Sequence, residues 1–398
     1  MRLLYLGIVF MLCAGTAHAN PADTVAPRNP WRASLSLHGG FIIPHSNIIQ
    51  PLVTSHAAAA SVFLHRRLNG EKAWHHAYAF PEHGVDVTAI YTGNPKQLGN
   101  QVAVSYMLQM PITHKVRGDG AGPFYLGRYA TKRHTFFSTG IGLGYSNRPW
   151  KLETNHQAAV LGSSFNVALS LQCMHRREIR SWGSVGLGIR ITHLSNGAFQ
   201  LPNLGTNTAS LFLQITPGVD RREVYPSDRK VTDTISELPI FGLQHRSTWS
   251  FALATGWKEI PPPGGAKYQA VTCQLMHEHR RRVKSSWGYG VDLLYNRSLL
   301  AVMNRNADTS YALIRPLQVG AIIGFNIHFH RFELKMQQGV YLWDRWRGDG
   351  MLYHRFGLRY RFHDRWFAQL TLKTHFAKAD FGELGVGYCV HSTTRRKP

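Results

Sequence analysis

The stretch VGLGIRITHLS, residues 185–195, decides the fold because its side chains alternate strictly between two kinds. One parity is aliphatic and the other is small or charged: Val185, Leu187, Ile189 and Ile191 against Gly186, Gly188, Arg190 and Thr192. Since successive side chains of a strand point to opposite faces, the pattern predicts a β-strand with one apolar face. In a soluble sandwich that face would meet the core. In a transmembrane barrel it would meet lipid, and the polar face would line the lumen.

The same alternation recurs along the chain, for example at 211–215, 370–376 and 384–391. No segment after the N-terminal leader has 18 consecutive apolar residues, so helical membrane spans are not expected. Charged residues on the inward parity, such as Arg190 and Lys373, suit a wet lumen better than a packed core. The sequence therefore predicts an all-β protein, an antiparallel transmembrane β-barrel of about 14–16 strands.

The way these strands close is open to two interpretations. A polar segment rich in charge and proline, residues 217–246, separates two sets of eight candidate strands. The strands could form a single large barrel, or two eight-stranded barrel units. Even strand numbers suit bacterial barrels in either case. We favour the single barrel, because a tandem needs two separate closures in one membrane.

The N-terminus predicts export from the cytoplasm. MRLLYLGIVFMLCAGTAHAN has one arginine, an apolar core and then Ala-His-Ala, which is typical of a secretory signal peptide cut after Ala19. Cys173, Cys273 and Cys389 are odd in number and widely spaced, so they do not indicate a disulfide framework. We divide the chain into a signal peptide (1–19), a barrel half with the candidate site (20–216), a loop or linker (217–246), a second barrel half (247–391) and a tail (392–398).

The charge balance narrows the choice of partners. The 398 residues contain 45 Lys and Arg against 22 Asp and Glu, a formal net charge of +23. Export argues against nucleic acid, whereas an anionic membrane surface fits both the charge and the predicted barrel. The chain has no GxSxG, Walker loop, dinucleotide fingerprint or HExxH, and we expect no cofactor and no metal.

His193 and Ser195 continue the apolar parity of the opening stretch and should face outward at the end of the strand. Polar groups that face hydrocarbon cost free energy, so they need a reason to be there. Asn207 has the same parity as Leu211 in the next predicted strand. In a hairpin the three polar residues could meet as nucleophile, base and orienting group. The alternative is a polar strand end at the membrane interface, where Ser, Asn and His are common.

The residues around this pair carry a family resemblance. His193-Leu194-Ser195-Asn196-Gly197 is followed by Pro202-Asn203-Leu204-Gly205-Thr206-Asn207. This pattern resembles the outer-membrane lipid A 3-O-deacylases of the PagL type, also known as acyloxyacyl hydrolases. The specific resemblance covers residues 140–216. The whole chain, with HGGFIIPHS (38–46) near its start, looks like the long, Bacteroidetes-like form of the family.

The resemblance implies a β-barrel in the bacterial outer membrane with a lipid-facing site, and lipid A or lipopolysaccharide as the substrate. By the same resemblance Ser195 would be the nucleophile and His193 the general base. Asn196 and the amides near Gly197 would be oxyanion or substrate contacts, and no metal is implied. The expected activity is that of a serine esterase that deacylates lipid A.

Asn207 departs from the family pattern, because it stands where the family has an acid. An amide can orient an imidazole but cannot stabilise imidazolium by charge. In a serine protease, replacing the triad aspartate by asparagine lowered turnover about 10⁴-fold, largely through the wrong tautomer. The protein is then either a working Ser-His-Asn variant or a barrel with little activity. A non-catalytic barrel or porin-like channel is the second functional hypothesis.

Overall fold

A computed structural model describes residues 31–68, 72–112, 135–179, 182–218, 246–280, 284–305, 316–346, 348–376 and 378–393. In these ranges the regular secondary structure is mostly β-strand. The strands of the first set are β1 (Arg32–Ile42), β2 (Ala57–Arg67), β3 (Glu82–Tyr91), β4 (Asn100–Pro111), β5 (Thr135–Ser146), β6 (Phe165–Ile179), β7 (Gly183–Ser195) and β8 (Thr206–Pro217).

The second set begins after the separating segment. Its strands are β9 (Arg246–Glu259), β10 (Lys267–Arg280), β11 (Ser285–Asn296), β12 (Leu317–Phe329), β13 (Phe332–Asp344), β14 (Leu352–Arg361), β15 (Trp366–His375) and β16 (Lys378–Thr393). Short helices span Ala73–Ala77 and Arg297–Arg305, and a 3-10 turn spans Gln50–Leu52. Among the helices that can be described, none is both long and apolar enough to cross a membrane.

The strands close into two antiparallel barrels of eight. β8 pairs with β1, so that Leu213 lies opposite Leu37. β16 pairs with β9, so that Val386 lies opposite Leu253. The all-β fold and the number of strands are confirmed, and the two-unit alternative is the architecture found. The single large barrel that we favoured is wrong, because β8 returns to β1 and leaves no free edge for β9.

Several predicted segments cannot be compared with the structure. The signal peptide (1–19), most of the 217–246 segment and all but the first two residues of the 392–398 tail lie outside the described residues. Their assignments stay predictions. The division into two barrel halves is compatible with the closures, which end and begin on either side of the separating segment.

The alternation of exposed and buried side chains that the sequence predicts for β7 is present in the structure. In β7, Leu187 is 63% exposed on the outer wall, whereas Arg190 points inward and is buried. The inward charges nevertheless do not line a wet lumen: Arg190 pairs with Asp86 at 2.7 Å, and Lys373 pairs with Asp380 at 2.7 Å. An eight-stranded barrel has an interior just wide enough for side chains to fill. The small inward residues and paired charges are therefore a polar core.

The second barrel has the larger of these charge networks. Arg355 bonds Asp292 at 2.7 Å and Glu383 at 2.6 Å. Arg359 bonds Glu278 at 2.8 Å and also reaches Glu333. Buried charges are tolerated only when they are paired and hydrogen-bonded. These inward charges, which a porin-like channel would use to select solutes, are thus paired with one another.

Loops at one end of the first barrel build a small apolar cluster of their own. It lies where β1, β3, β5 and β7 finish, and its members are Ile42, Ile49, Leu52, Leu98, Val160 and Leu161. Leu204, from the loop between β7 and β8, packs against this cluster. Burial of these aliphatic side chains holds the loops together, so the end of β7 meets an ordered surface.

Candidate functional site

The predicted site residues lie on the hairpin of β7 and β8. His193 is directly opposite Asn207 in the antiparallel register. His193 Nε2 is 2.9 Å from Ser195 Oγ, and His193 Nδ1 is 2.7 Å from Asn207 Oδ1. The structure therefore brings the three residues into one line of hydrogen bonds, as the strand parity predicted.

This line sits on the outer wall rather than in the barrel interior. Ile191 and Leu211, on the same face of the hairpin, are 45% and 65% exposed. Ser195 itself is only 7% exposed, and Gly205 of the 196–205 loop lies close to it, since a Cβ at Gly205 would be 3.4 Å from Ser195 Cβ. The nucleophile candidate thus lies at the border between an apolar wall and an ordered loop, and away from the charged interior.

His45, which the sequence analysis did not assign to the site, is the fourth member of the line. Its Nδ1 lies 3.1 Å from Asn207 Nδ2, and its Nε2 lies 3.1 Å from the carbonyl oxygen of Leu204. A carbonyl only accepts, so Nε2 carries the hydrogen and Nδ1 accepts from the amide. The carbonyl of Ile43, also 3.1 Å from Nδ1, could accept a hydrogen bond only if Nδ1 were protonated as well. The only earlier signal for His45 was its place in HGGFIIPHS.

The partners of His45 set the direction of every bond in the line. With Asn207 Nδ2 turned to His45, Asn207 Oδ1 faces His193 and accepts from Nδ1–H. His193 Nε2 is then free of hydrogen and accepts from the hydroxyl of Ser195. This is the tautomer that a general base requires.

Asn196 shapes the 196–205 loop through all of its N–H groups. Its backbone N–H donates to Asn203 Oδ1 at 2.8 Å, and its Nδ2 donates to Ser163 Oγ at 2.8 Å and to the Gln200 carbonyl at 2.9 Å. Asn196 is thus bonded within the loop and to Ser163, in the segment between β5 and β6, and has no N–H left for a substrate.

Three donors of the 196–205 loop, which follows Ser195 in the chain, have no hydrogen-bond partner within the described ranges. They are the backbone N–H groups of Gly197 and Ala198 and the Nδ2 of Asn203. The predicted amide at Gly197 is one of them, so it stays a candidate for the oxyanion contact. Ala198 and Asn203 are additions that the sequence analysis did not single out individually.

Gly205 is the glycine of the motif, and the structure shows why a side chain does not fit there. Its φ is +75°, in the left-handed region. A Cβ at this position would lie 2.8 Å from His193 Cε1 and 2.9 Å from the Leu194 carbonyl oxygen. The backbone of Gly205 is therefore packed directly against the imidazole ring of His193.

These features define a class: an antiparallel β-barrel with a Ser-His-Asn arrangement of the serine-hydrolase kind on its outer wall. Residues 58–216 match the family described as lipid A 3-O-deacylase (PagL). Residues 247–392 match the family described as acyloxyacyl hydrolase, C-terminal domain. The chain belongs to the PagL family of lipid A deacylases, which are ester hydrolases. The predicted family resemblance is confirmed. The first match runs from β2 to β8 and leaves out β1, and the second match covers β9 to β16.

The other comparisons add little. No curated protein matches the chain significantly. Among solved structures, a double mutant of Rh. blastica porin has 8% identity, with 91% of this chain and 100% of the porin covered, at a TM-score of 0.18. A triple mutant of the Rhodopseudomonas blastica porin has 7% identity at the same coverages and a TM-score of 0.16. Such low TM-scores support no argument about fold or function.

No cluster of three or more His, Cys, Asp or Glu side chains suited to a metal occurs in the part of the chain that the structure describes. The site has a different donor set: a hydroxyl, two imidazoles and amides. This is the chemistry of acyl transfer, in which a proton is moved and an oxyanion is stabilised.

Proposed function

We propose that the protein is an outer-membrane serine esterase that removes a 3-O-linked hydroxyacyl chain from the glucosamine backbone of lipid A. The observation that carries this proposal is the line from Ser195 through His193 to Asn207, at 2.9 and 2.7 Å, on the outer wall of the first barrel. A lipid in the outer leaflet could reach this position without entering the barrel.

The reaction follows from the directions of the hydrogen bonds. Ser195 Oγ attacks the ester carbonyl while His193 Nε2 takes its proton. The tetrahedral intermediate places its oxyanion near the free N–H groups of Gly197, Ala198 and Asn203. Collapse breaks the ester bond, and His193 returns the proton to the sugar oxygen that leaves. Water, activated by His193, then releases the hydroxy acid from Ser195.

Asn207 acts in this mechanism as an orienting group without charge. The Asn207 amide on its own could present either its oxygen or its NH2 group to His193. The NH2 group would require a His193 without hydrogen on Nδ1, which is the wrong tautomer for a general base. The contact of Asn207 Nδ2 with His45 removes that ambiguity. We infer that His45 compensates for part of what the missing acid would supply, namely the orientation and not the charge.

The surroundings of the site suit an amphipathic anionic lipid. The outer wall next to it is apolar at Ile191 and Leu211, where acyl chains can pack. The chain carries a formal charge of +23, and lysines and arginines bind phosphate through strong charge-assisted hydrogen bonds. Export through the predicted signal peptide would deliver the barrels to the outer membrane.

The test is mass spectrometry of lipid A from cells that express the protein. Wild type should remove one hydroxyacyl chain, and Ser195→Ala should not. Ser210→Ala is the matched control, since this serine lies on β8 but bonds His38 and the Arg190 carbonyl instead of His193. Unchanged lipid A with folded wild-type barrels would contradict the proposal and would favour the non-catalytic barrel.

A further inference from the structure

We propose that the second barrel positions the 196–205 loop of the first, with Glu259 and Lys267 as the positioning residues. This inference rests on the proposed function, because its object is the loop that carries the oxyanion donors. It gives the second barrel a part in the reaction although that barrel contributes none of the three residues in the Ser-His-Asn line.

The carboxylate of Glu259 lies at the end of β9 and is almost fully buried. Its Oε2 accepts from the backbone N–H of Leu201, in the loop of the other barrel, at 3.2 Å. Its Oε1 accepts from the N–H groups of Gly264 and Gly265 in the turn between β9 and β10. One carboxylate therefore joins a turn of the second barrel to the 196–205 loop.

Two further bonds run from the second barrel to the same loop. The backbone N–H of Glu259 donates to the carbonyl of Ala198 at 3.0 Å. Lys267 Nζ donates to the carbonyl of Phe199 at 2.9 Å, lies 4.6 Å from the centroid of the Phe199 ring, and pairs with Glu259 Oε2 at 3.3 Å. Ala198, Phe199 and Leu201 are thus each hydrogen-bonded to the second barrel, the first two as acceptors and Leu201 as a donor.

The loop needs such support because of its backbone conformation. Gly197 and Ala198 have φ values of +64° and +63°. The left-handed region costs a non-glycine residue conformational energy, so Ala198 holds it only where its surroundings impose it. The direction of the free N–H groups of Gly197 and Ala198 depends on these dihedral angles. Bonds to the neighbouring carbonyls of Ala198 and Phe199 therefore act on the oxyanion donors themselves.

Burial of Glu259 indicates that this contact is specific rather than incidental. A carboxylate is costly to remove from water unless donors surround it, and here three backbone N–H groups and one ammonium do so. Charge-assisted hydrogen bonds of this kind are stronger than neutral ones. The first barrel supports the other side of the loop, where the N–H groups of Leu204 and Gly205 donate to the Val160 carbonyl.

The experiment compares Glu259→Gln and Lys267→Met in the full-length protein. Glutamine keeps the shape of glutamate, but one of its two terminal atoms can no longer accept a hydrogen bond. We expect kcat on lipid A in detergent micelles to fall roughly tenfold to a hundredfold, since small displacements of an oxyanion donor are costly. KM should stay within about threefold, because the substrate-binding wall is unchanged. Thermal unfolding should stay close to that of wild type.

Two controls separate positioning from general damage to the second barrel. Lys378→Met removes a lysine of that barrel whose side chain is 79% exposed and paired with Asp349, not with the loop. Glu278→Gln weakens the barrel from inside, at its pair with Arg359. Neither contacts the 196–205 loop, so kcat of the folded fraction should be unchanged in both.

The outcomes are distinct. If wild type deacylates lipid A but Glu259→Gln and Lys267→Met keep kcat within about twofold while folded, the second barrel does not position the loop. If their kcat falls only in proportion to lost folded protein, as for Glu278→Gln, Glu259 is merely structural and the inference is overturned. If wild type itself is inactive and Ser195→Ala makes no difference, the proposed function fails, and this inference fails with it.

Discussion

Replacing Gly205 by alanine tests the geometry of the site at its tightest point. A methyl group there would lie 2.8 Å from His193 Cε1, 2.9 Å from the Leu194 carbonyl oxygen and 3.4 Å from Ser195 Cβ. The first two distances are below those that real Cβ atoms show. Because the obstructing atoms include backbone, the imidazole must move and the hydrogen bond to Ser195 must lengthen.

The size of the effect has two parts. The left-handed φ of +75° costs alanine about 1–2 kcal/mol. Overpacking against His193 and Leu194 adds about 1–3 kcal/mol, so stability should fall by about 2–5 kcal/mol in total. Catalysis should suffer more, since a displacement of about 1 Å in a reacting group costs on the order of 100-fold in rate. We therefore expect kcat/KM for lipid A to fall at least about 100-fold in Gly205→Ala.

Gly218→Ala is the matched control for this substitution. Gly218 also has a left-handed φ, +89°, but a Cβ there would meet nothing within 4 Å. Gly218→Ala should lose only the stability that the left-handed φ costs an alanine, and its activity should stay within about threefold of wild type. Release of radiolabelled hydroxy acid, measured beside thermal unfolding, gives both quantities. Activity of Gly205→Ala equal to that of Gly218→Ala would refute the argument that the imidazole rests on the glycine backbone.

The remaining predictions concern the charge and the direction of the hydrogen bonds. Asn207→Asp should raise kcat about tenfold or more, because a carboxylate at the present 2.7 Å from His193 Nδ1 also stabilises imidazolium; a steady-state assay that shows no gain would mean that charge is not limiting. His45→Phe should lower kcat about five- to tenfold, which is the equivalent of one hydrogen bond. The loss should be smaller in the Asn207→Asp protein, because both oxygens of a carboxylate can accept from His193 whichever way the group is turned. Equal losses in both proteins would show that His45 does not act by orienting residue 207. Arg190→Met should destabilise the first barrel by about 3–5 kcal/mol in urea unfolding, because it leaves Asp86 buried without its ion-pair partner. A loss under about 1 kcal/mol would show that this ion pair does not stabilise the barrel interior.

The faces of the strands could be read from the sequence because backbone geometry fixes them. Alternation in residues 185–195 is a property of the chain itself, so the outward positions of His193 and Ser195 followed without any tertiary information. The hairpin then placed Asn207 opposite His193. For these residues, local periodicity and one antiparallel register were sufficient.

The closure of the barrels could not be predicted in the same way. Alternation specifies which side of a strand faces outward but not which distant strand completes the sheet. The pairing of β8 with β1 depends on strand tilt and stagger, which leave no local pattern. The 217–246 segment separates the two sets of strands in the sequence, but its composition does not say whether they close separately.

His45 and Glu259 were missed for a related reason. His45 lies 162 positions from Asn207, and Glu259 lies 58 positions from Leu201. His45 comes close to Asn207 because β1 pairs with β8 and closes the first barrel. Glu259 comes close to Leu201 because the second barrel contacts the 196–205 loop of the first. Neither has a neighbouring residue whose spacing would mark it as part of a catalytic group.

The ion pairs inside the second barrel have a mechanical consequence. Arg355, on β14, bonds Asp292 on β11 and Glu383 on β16, so its guanidinium ties walls that are not neighbours in the sheet. Flattening such a cylinder would separate opposite charges where little water can screen them. The cross-section of the second barrel should therefore resist becoming oval under sideways pressure. A barrel of that stiffness keeps the same outline under load, so the loops and turns at its rim keep fixed distances from one another.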